Sequence, residues 1–391
     1  MSTLNGKVLD ARGKLVGSGI VLDDAGALVE VLPVTDAEVS GWITPGLIDI
    51  HNHGGGGASF PDQFTQEGVK TAVDTHLKMG TTAMLASTVS MIDPLPAIHN
   101  LVEACEAGML LGIHLEGPYI SPYKVGAQNP AAVRNPDLDE LRSWLEAGKG
   151  WVKTMTLAPE VDNAAEAAKM LLDYGALPSW GHTNTSGAVQ RELIEITTAY
   201  AAEKGISPAQ TATHLFNAMP PLSHREPGPA RELIASARRG ETVVELVADA
   251  IHLHPDLVGD VINFIEPKNE LGAVFITDAM EGAGMPDGQY VLGSLAVTIT
   301  DGVARLTEGG AIAGGTARMA QDIQRMVGAG AVTMEQAVRA SVAAPAYTLR
   351  LTGEEPGVSL EYTVGEKMNL VTFDEELNVT GVIREGKPVT L

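Results

Sequence analysis

The sequence predicts an α/β protein: a (β/α)8 TIM barrel with a small β-sandwich domain formed from both chain termini. Three observations carry that prediction. Between about residues 45 and 355, short apolar runs alternate with helical patterns, the mark of βαβ units and a parallel sheet. Both ends, 1–44 and 356–391, are β-rich and differ from this middle. Eight strand candidates can be counted in the middle, the number that closes such a barrel.

The elements follow in order. Residues 1–44 alternate apolar and polar positions around turns at Ala11-Arg-Gly-Lys14 and Asp23-Asp-Ala-Gly26. The eight candidates are Leu47–His51, Thr82–Ser87, Leu110–Leu115, Val152–Leu157, Leu177–Trp180, Thr211–His214, Val243–Ala248 and Ala273–Thr277. Asp62 to Met79 is the clearest crossover helix, stopped at Gly80. Beyond the eighth strand, Leu295 to Leu306 reads as a hairpin turning at Asp301-Gly302. The last stretch repeats the style of the first: Lys367–Phe373, a turn near Asp374, then Val379–Ile383. A doubly wound open sheet would carry a Gly-x-Gly-x-x-Gly opening a helix after an early strand, and no such run occurs.

Composition narrows the function. With 49 acidic against 26 basic side chains, the net charge of −23 argues against a nucleic-acid partner or an anionic membrane surface. Any phosphate bound here must be held by a few local groups. A single cysteine, Cys105, cannot form an internal disulfide, and no apolar run approaches about 18 residues. The first residues lack a basic-then-apolar leader pattern. A soluble cytoplasmic protein is expected.

The chemistry gathers at strand ends. The first strand runs into His51-Asn-His53 and four glycines, and side chains at i and i+2 of an extended segment point the same way. Glu116 follows the third strand, His182 the fifth, His214 the sixth and Asp278 the eighth. In a parallel barrel all these ends lie at one mouth. Imidazoles and carboxylates without cysteine suit zinc, or another divalent ion such as iron, manganese or cobalt. Glu116, His182 and His214 would make a three-ligand site with an open position. His51 and His53 could hold a second ion with Glu116 bridging, so one or two ions per chain are expected. Asp278 is placed to act as the base for an activated water, or as an ordinary ligand.

With these residues in hand, the chain resembles the amidohydrolase superfamily and, within it, the N-acetylglucosamine-6-phosphate deacetylase family. The resemblance rests on Pro45-Gly-Leu-Ile-Asp-Ile-His-Asn-His53, His114-Leu-Glu-Gly-Pro118, Gly181-His-Thr-Asn184, Thr213-His-Leu-Phe-Asn-Ala-Met219, Arg225-Glu-Pro-Gly228, Asp249-Ala-Ile-His252 and Ile276-Thr-Asp278. It implies that Glu116, His182 and His214 bind the main metal and that Asp278 is the catalytic acid/base. It also implies that Asn217, Ala218, Arg225 and His252 hold a sugar phosphate, the last two near a homodimer interface. Ile312, Ala313 and Gly314 match a sugar-contacting loop, and Gln128 falls where the family touches the acetamide carbonyl.

Gln128 stands where some relatives carry His; it can donate to a carbonyl but cannot act as an acid. Ala250 stands where Gly is usual. The implied reaction is deacetylation of an amino-sugar 6-phosphate in amino-sugar breakdown, with the glucosamine and galactosamine epimers both open. A cyclic-amide or dipeptide hydrolase using a modified Lys153 is the more distant rival. Tyr119 to Val133, with two prolines and Gly126, is a candidate mobile lid.

Overall fold

The computed structural model describes residues 1–35 and 39–391; residues 36–38 of the expected first β segment lie outside the described residues. Eight parallel strands form one sheet in sequence order: Leu47–Asp49, Thr81–Ser87, Gly112–Glu116, Val152–Leu157, Leu177–Trp180, Gln210–Ala212, Thr242–Val247 and Ala273–Ile276. All eight are buried along their whole length except at Lys153, as a sheet covered by helices requires.

The barrel closes between its last and first strands at the C-terminal rim. Asp278 N–H donates to the His51 carbonyl (3.0 Å) and His53 N–H to the Ala279 carbonyl (2.7 Å). Below this, Thr277 Oγ1 donates to Asp49 Oδ2 at 2.6 Å. A buried carboxylate therefore finishes the seam where the backbone ladder is sparse.

The crossover helix expected from Asp62 begins later and spans Gln66–Leu77. Thr65 supplies the cap, its hydroxyl accepting from Gly68 N–H. Asp62 instead accepts from Ser59 Oγ and from Gly293 N–H, tying the first loop to the last. The Leu295–Thr300 and Val303–Leu306 hairpin forms as expected, and Gly288–Leu292 adds a third strand to it.

Both termini build one seven-stranded sheet, in the order Lys387–Pro388, Val379–Arg384, Leu370–Phe373, Trp42–Pro45, Ser2–Leu9, Leu15–Leu22, Leu28–Leu32. A bridge from Ala27 to Lys367 turns the Leu28 edge back against the chain entering Leu370. The sheet thus folds over its own core of Val8, Ile20, Leu28, Ile43, Met368 and Leu370. Among the described residues no helix is long and apolar enough to cross a membrane.

Candidate metal centre

Three of the residues that follow barrel strands break the extended conformation. His182 (φ 46°), His214 (φ 27°) and Asp278 (φ 48°) all sit in the left-handed region. Non-glycine residues pay roughly 1–3 kcal/mol each for such a conformation, which clusters where a side chain must be aimed. Here all three side chains converge with those of His51, His53 and Glu116.

Glu116, the last residue of its strand, is the hub. Its Oε1 lies 2.9 Å from Nε2 of His182 and 2.9 Å from Nε2 of His214. Its Oε2 lies 3.1 Å from Nε2 of His53 and 3.7 Å from that of His51. Asp278 Oδ1 completes the second half at 3.3 Å from His51 Nε2 and 3.2 Å from His53 Nε2. Two groups of three ligand-type side chains result, Glu116–His182–His214 and His51–His53–Asp278, every member buried.

The donor set fits a divalent cation. The Nε2 atoms of His182 and His214 are 3.0 Å apart, and those of His51 and His53 are 3.1 Å apart. Neutral imidazoles facing lone pair to lone pair repel unless a positive charge lies between them. The outer nitrogens agree: His51 Nδ1 meets Glu245 Oε2 at 3.0 Å, and His182 Nδ1 meets the Lys124 carbonyl at 2.8 Å. Both partners accept, so each ring carries its proton on Nδ1 and turns Nε2 inward.

Without an ion between them, protons would supply the positive charge. Burial pushes the His53 imidazole down, yet hydrogen bonds to Asp278 and Glu116 outweigh it and hold the ring at about 9. His51 is likewise driven well above the ordinary histidine value, burial being outweighed by Asp278, Glu116 and Glu245. Burial disfavours the Glu116 carboxylate, but the four surrounding histidines keep it far below the usual range. Ligands must shed such protons to bind metal, so affinity weakens as pH is lowered.

Five of these six residues, all but the fully buried His51, line a cavity of about 380 Å³ shared with Tyr123 to Gln128, Asn217, Ala218, His252, Leu292, Ala311, Ile312 and Gly314. Gln128 accepts from Ser90 N–H through Oε1 at 2.5 Å, which turns its NH2 group towards the cavity. Ala218 gives its carbonyl to Thr183 N–H, leaving its own N–H as the polar group it can offer. His252 Nδ1 lies 2.7 Å from Asp249 Oδ2; burial is outweighed by this partner, and the imidazole is raised above its ordinary value.

Two expected binding residues are not among those lining this cavity. The Ala313 side chain is fully buried, packed with Val89, Met280 and Leu292 behind the cavity wall, while its neighbours Ile312 and Gly314 line the cavity. Arg225 is exposed and does not line its own chain's cavity. A larger hollow, about 560 Å³, lies between the terminal sheet and the barrel around Arg12, Tyr347 and Tyr362, and holds none of the ligands.

A model of the amidohydrolase family matches residues 42–389, nearly the whole chain. The chain belongs to the amidohydrolase family. It is 31% identical to an N-acetylglucosamine-6-phosphate deacetylase of Lysinibacillus sphaericus, over 90% of this chain and 87% of that protein. It is 30% identical to an N-acetylgalactosamine-6-phosphate deacetylase of Escherichia coli O157:H7, over 97% and 95%. Among solved structures it resembles the N-acetyl-D-glucosamine-6-phosphate deacetylase of Mycobacterium smegmatis in complex with N-acetyl-D-glucosamine-6-phosphate. That match has a TM-score of 0.86 at 32% identity, covering 100% of this chain and 99% of the other. Family membership and the donor set together support a divalent metal in this amidohydrolase.

Lys153, on which the rival reading depended, extends away from the mouth. Its Nζ donates to the Gly150 carbonyl at 3.0 Å and lies over the Trp151 ring. A supporting polar layer, not expected from the sequence, lies beneath the ligands. His114 bridges Ser87 Oγ (2.9 Å) and Thr156 Oγ1 (2.8 Å), and Thr156 passes the chain to Thr213 and Ser179. The signal was available: each is a polar residue in an otherwise apolar barrel strand or at its end.

Proposed function

We propose that the chain hydrolyses the N-acetyl group of N-acetyl-D-glucosamine 6-phosphate to D-glucosamine 6-phosphate and acetate. The observation that carries this reading is that His53, Glu116, His182, His214, Asp278 and His252 line one cavity, with His51 and Asp249 buried behind them as partners. The similarity to proteins bearing that activity in their names supports it.

Glu116, His182 and His214 would hold the main divalent ion, and His51 and His53 a second. Zinc suits the donors best, with iron, manganese or cobalt as alternatives. Such an ion, when bound, acidifies a water and polarises a carbonyl. Asp278, kept ionised by His51 and His53 although burial opposes it, accepts the water's proton and delivers it to the departing amine. Gln128 donates its amide N–H to the acetyl carbonyl. Cationic His252, the Ala218 N–H and Asn217 bind the phosphate end, while the sugar rests against Ile312 and Gly314.

Arg225, exposed on its own chain, is assigned to the phosphate of a neighbouring copy's cavity in a homodimer. Its planar guanidinium suits that ligand. The segment Tyr119–Val133 closes over the sugar, and Tyr123, 80% exposed, is its outermost large side chain. The barrel unit is taken as 45–355 and the sheet unit as 1–44 with 356–391, in a cytoplasmic enzyme.

The test is acetate release from N-acetylglucosamine 6-phosphate and N-acetylgalactosamine 6-phosphate against both unphosphorylated sugars. The proposal expects the glucosamine 6-phosphate to be preferred. Preference for the galactosamine epimer would move the assignment to that substrate, and equal KM with and without phosphate would remove the phosphate site.

A further inference from the structure

Glu245 is the single charged residue of the strand Thr242–Val247, whose neighbours Val243, Val244, Leu246 and Val247 are fully buried. Its carboxylate is itself 99% buried and faces no lysine or arginine within ion-pair distance among the described residues. A buried carboxylate with no lysine or arginine partner is costly and survives where it has specific work.

We propose that Glu245 is a positioning residue that ties the two halves of the metal site together through one carboxylate oxygen. Its Oε2 lies 3.0 Å from Nδ1 of His51 and accepts from the backbone N–H of His214 at 3.1 Å. The first contact orients a ligand of the His51–His53–Asp278 group. The second fixes the backbone of a ligand in the Glu116–His182–His214 group, at a residue held in the left-handed region (φ 27°). Glu245 also accepts from Leu215 N–H through its own carbonyl at 2.8 Å, so it pins both sides of that turn.

A shift of this carboxylate therefore moves a histidine in each group at once. The inference rests on the reading of those histidines as metal ligands, and goes beyond it by assigning what holds them. Groups that hold the outer nitrogen of a metal-binding histidine raise its basicity and lock its tautomer.

The experiment strips the full-length protein of metal and titrates it with cobalt(II) against a competing chelator, following the visible absorption of the bound ion. Glu245→Met keeps the volume and removes both acceptors; it is expected to weaken cobalt binding roughly 10–100-fold and to alter the absorption band. Glu245→Gln keeps an acceptor and loses the charge, and is expected to weaken binding about threefold or more. A purely packing role would lower the melting temperature and leave the spectrum of bound cobalt unchanged.

Wild-type protein that binds no cobalt overturns the metal reading itself. Wild-type binding matched by both variants, with the same spectrum, overturns the role of Glu245 alone. Should the Met variant fail to fold, the Gln variant decides: affinity and spectrum indistinguishable from wild type refute the proposal.

Discussion

His252 and Asp249 set one another's charge. The imidazole is raised because the Asp249 carboxylate outweighs burial, and the carboxylate is lowered because His252 does the same for it. A histidine raised in the folded state adds stability that is fully present below its unfolded value of about 6.5 and is lost as pH climbs through the folded value. An aspartate lowered in the folded state adds stability above about 3.9 that is lost as pH falls through its folded value. The pair is thus strongest between these limits, where His252 is cationic.

Since a sugar phosphate is largely dianionic above about pH 6, KM for it should rise as pH climbs through the raised His252 value. His252→Gln should abolish that rise; superimposable KM profiles for the two proteins would exclude the role. Asp278→Asn should lower turnover by about 10²–10⁴-fold while an ion is still held by Glu116, His182 and His214. Metal analysis alongside the rate checks this, and unchanged turnover would refute the proton-transfer role.

At the scale of elements, the last barrel strand is held by glycines that pass behind it. Gly315 donates to the Asp278 carbonyl at 2.6 Å, and a Cβ there would meet the Thr277 carbonyl oxygen at 2.3 Å. Gly315→Ala should therefore cost about 1–3 kcal/mol of stability as strain, with turnover falling as Asp278 shifts. Thermal melting and acetate release would show it, and a variant melting with wild type would mean the seam is soft.

The strand ends were legible because a buried parallel strand is an apolar run and its first polar residue marks the mouth. That logic found His51, Glu116, His182, His214 and Asp278. It failed where a polar residue lies inside the run, as Glu245 and His114 do, because burial there depends on partners from other strands. The start of the first helix was misplaced because Asp62 and Thr65 are both capping residues, and only packing shows that Asp62 serves Ser59 and Gly293 instead. Gly288–Leu292 was missed as a strand since it has no core of its own and leans on the hairpin. Likeness of motif places Ala313 at the site, and its side chain packs in the core between two residues that line the cavity, which leaves its backbone as the part that can face a ligand.

Across the whole molecule, a net charge of −23 repels an anionic substrate at long range, so capture depends on a few cations at the cavity. Arg225→Ala should raise KM for the phosphorylated sugar about tenfold or more with kcat within about threefold, since holding a remote phosphate is largely uniform binding. Loss of kcat instead would place Arg225 nearer the chemistry. The barrel mouth gathers its ligands from residues 51 to 278, and no local segment could assemble them alone.

The gathered site should be both metal-dependent and hydrolytic. Chelator-stripped protein should release no acetate from N-acetylglucosamine 6-phosphate, and stepwise return of zinc or another divalent ion should restore release in proportion to the ion bound. Undiminished acetate release from demonstrably metal-free protein would contradict it.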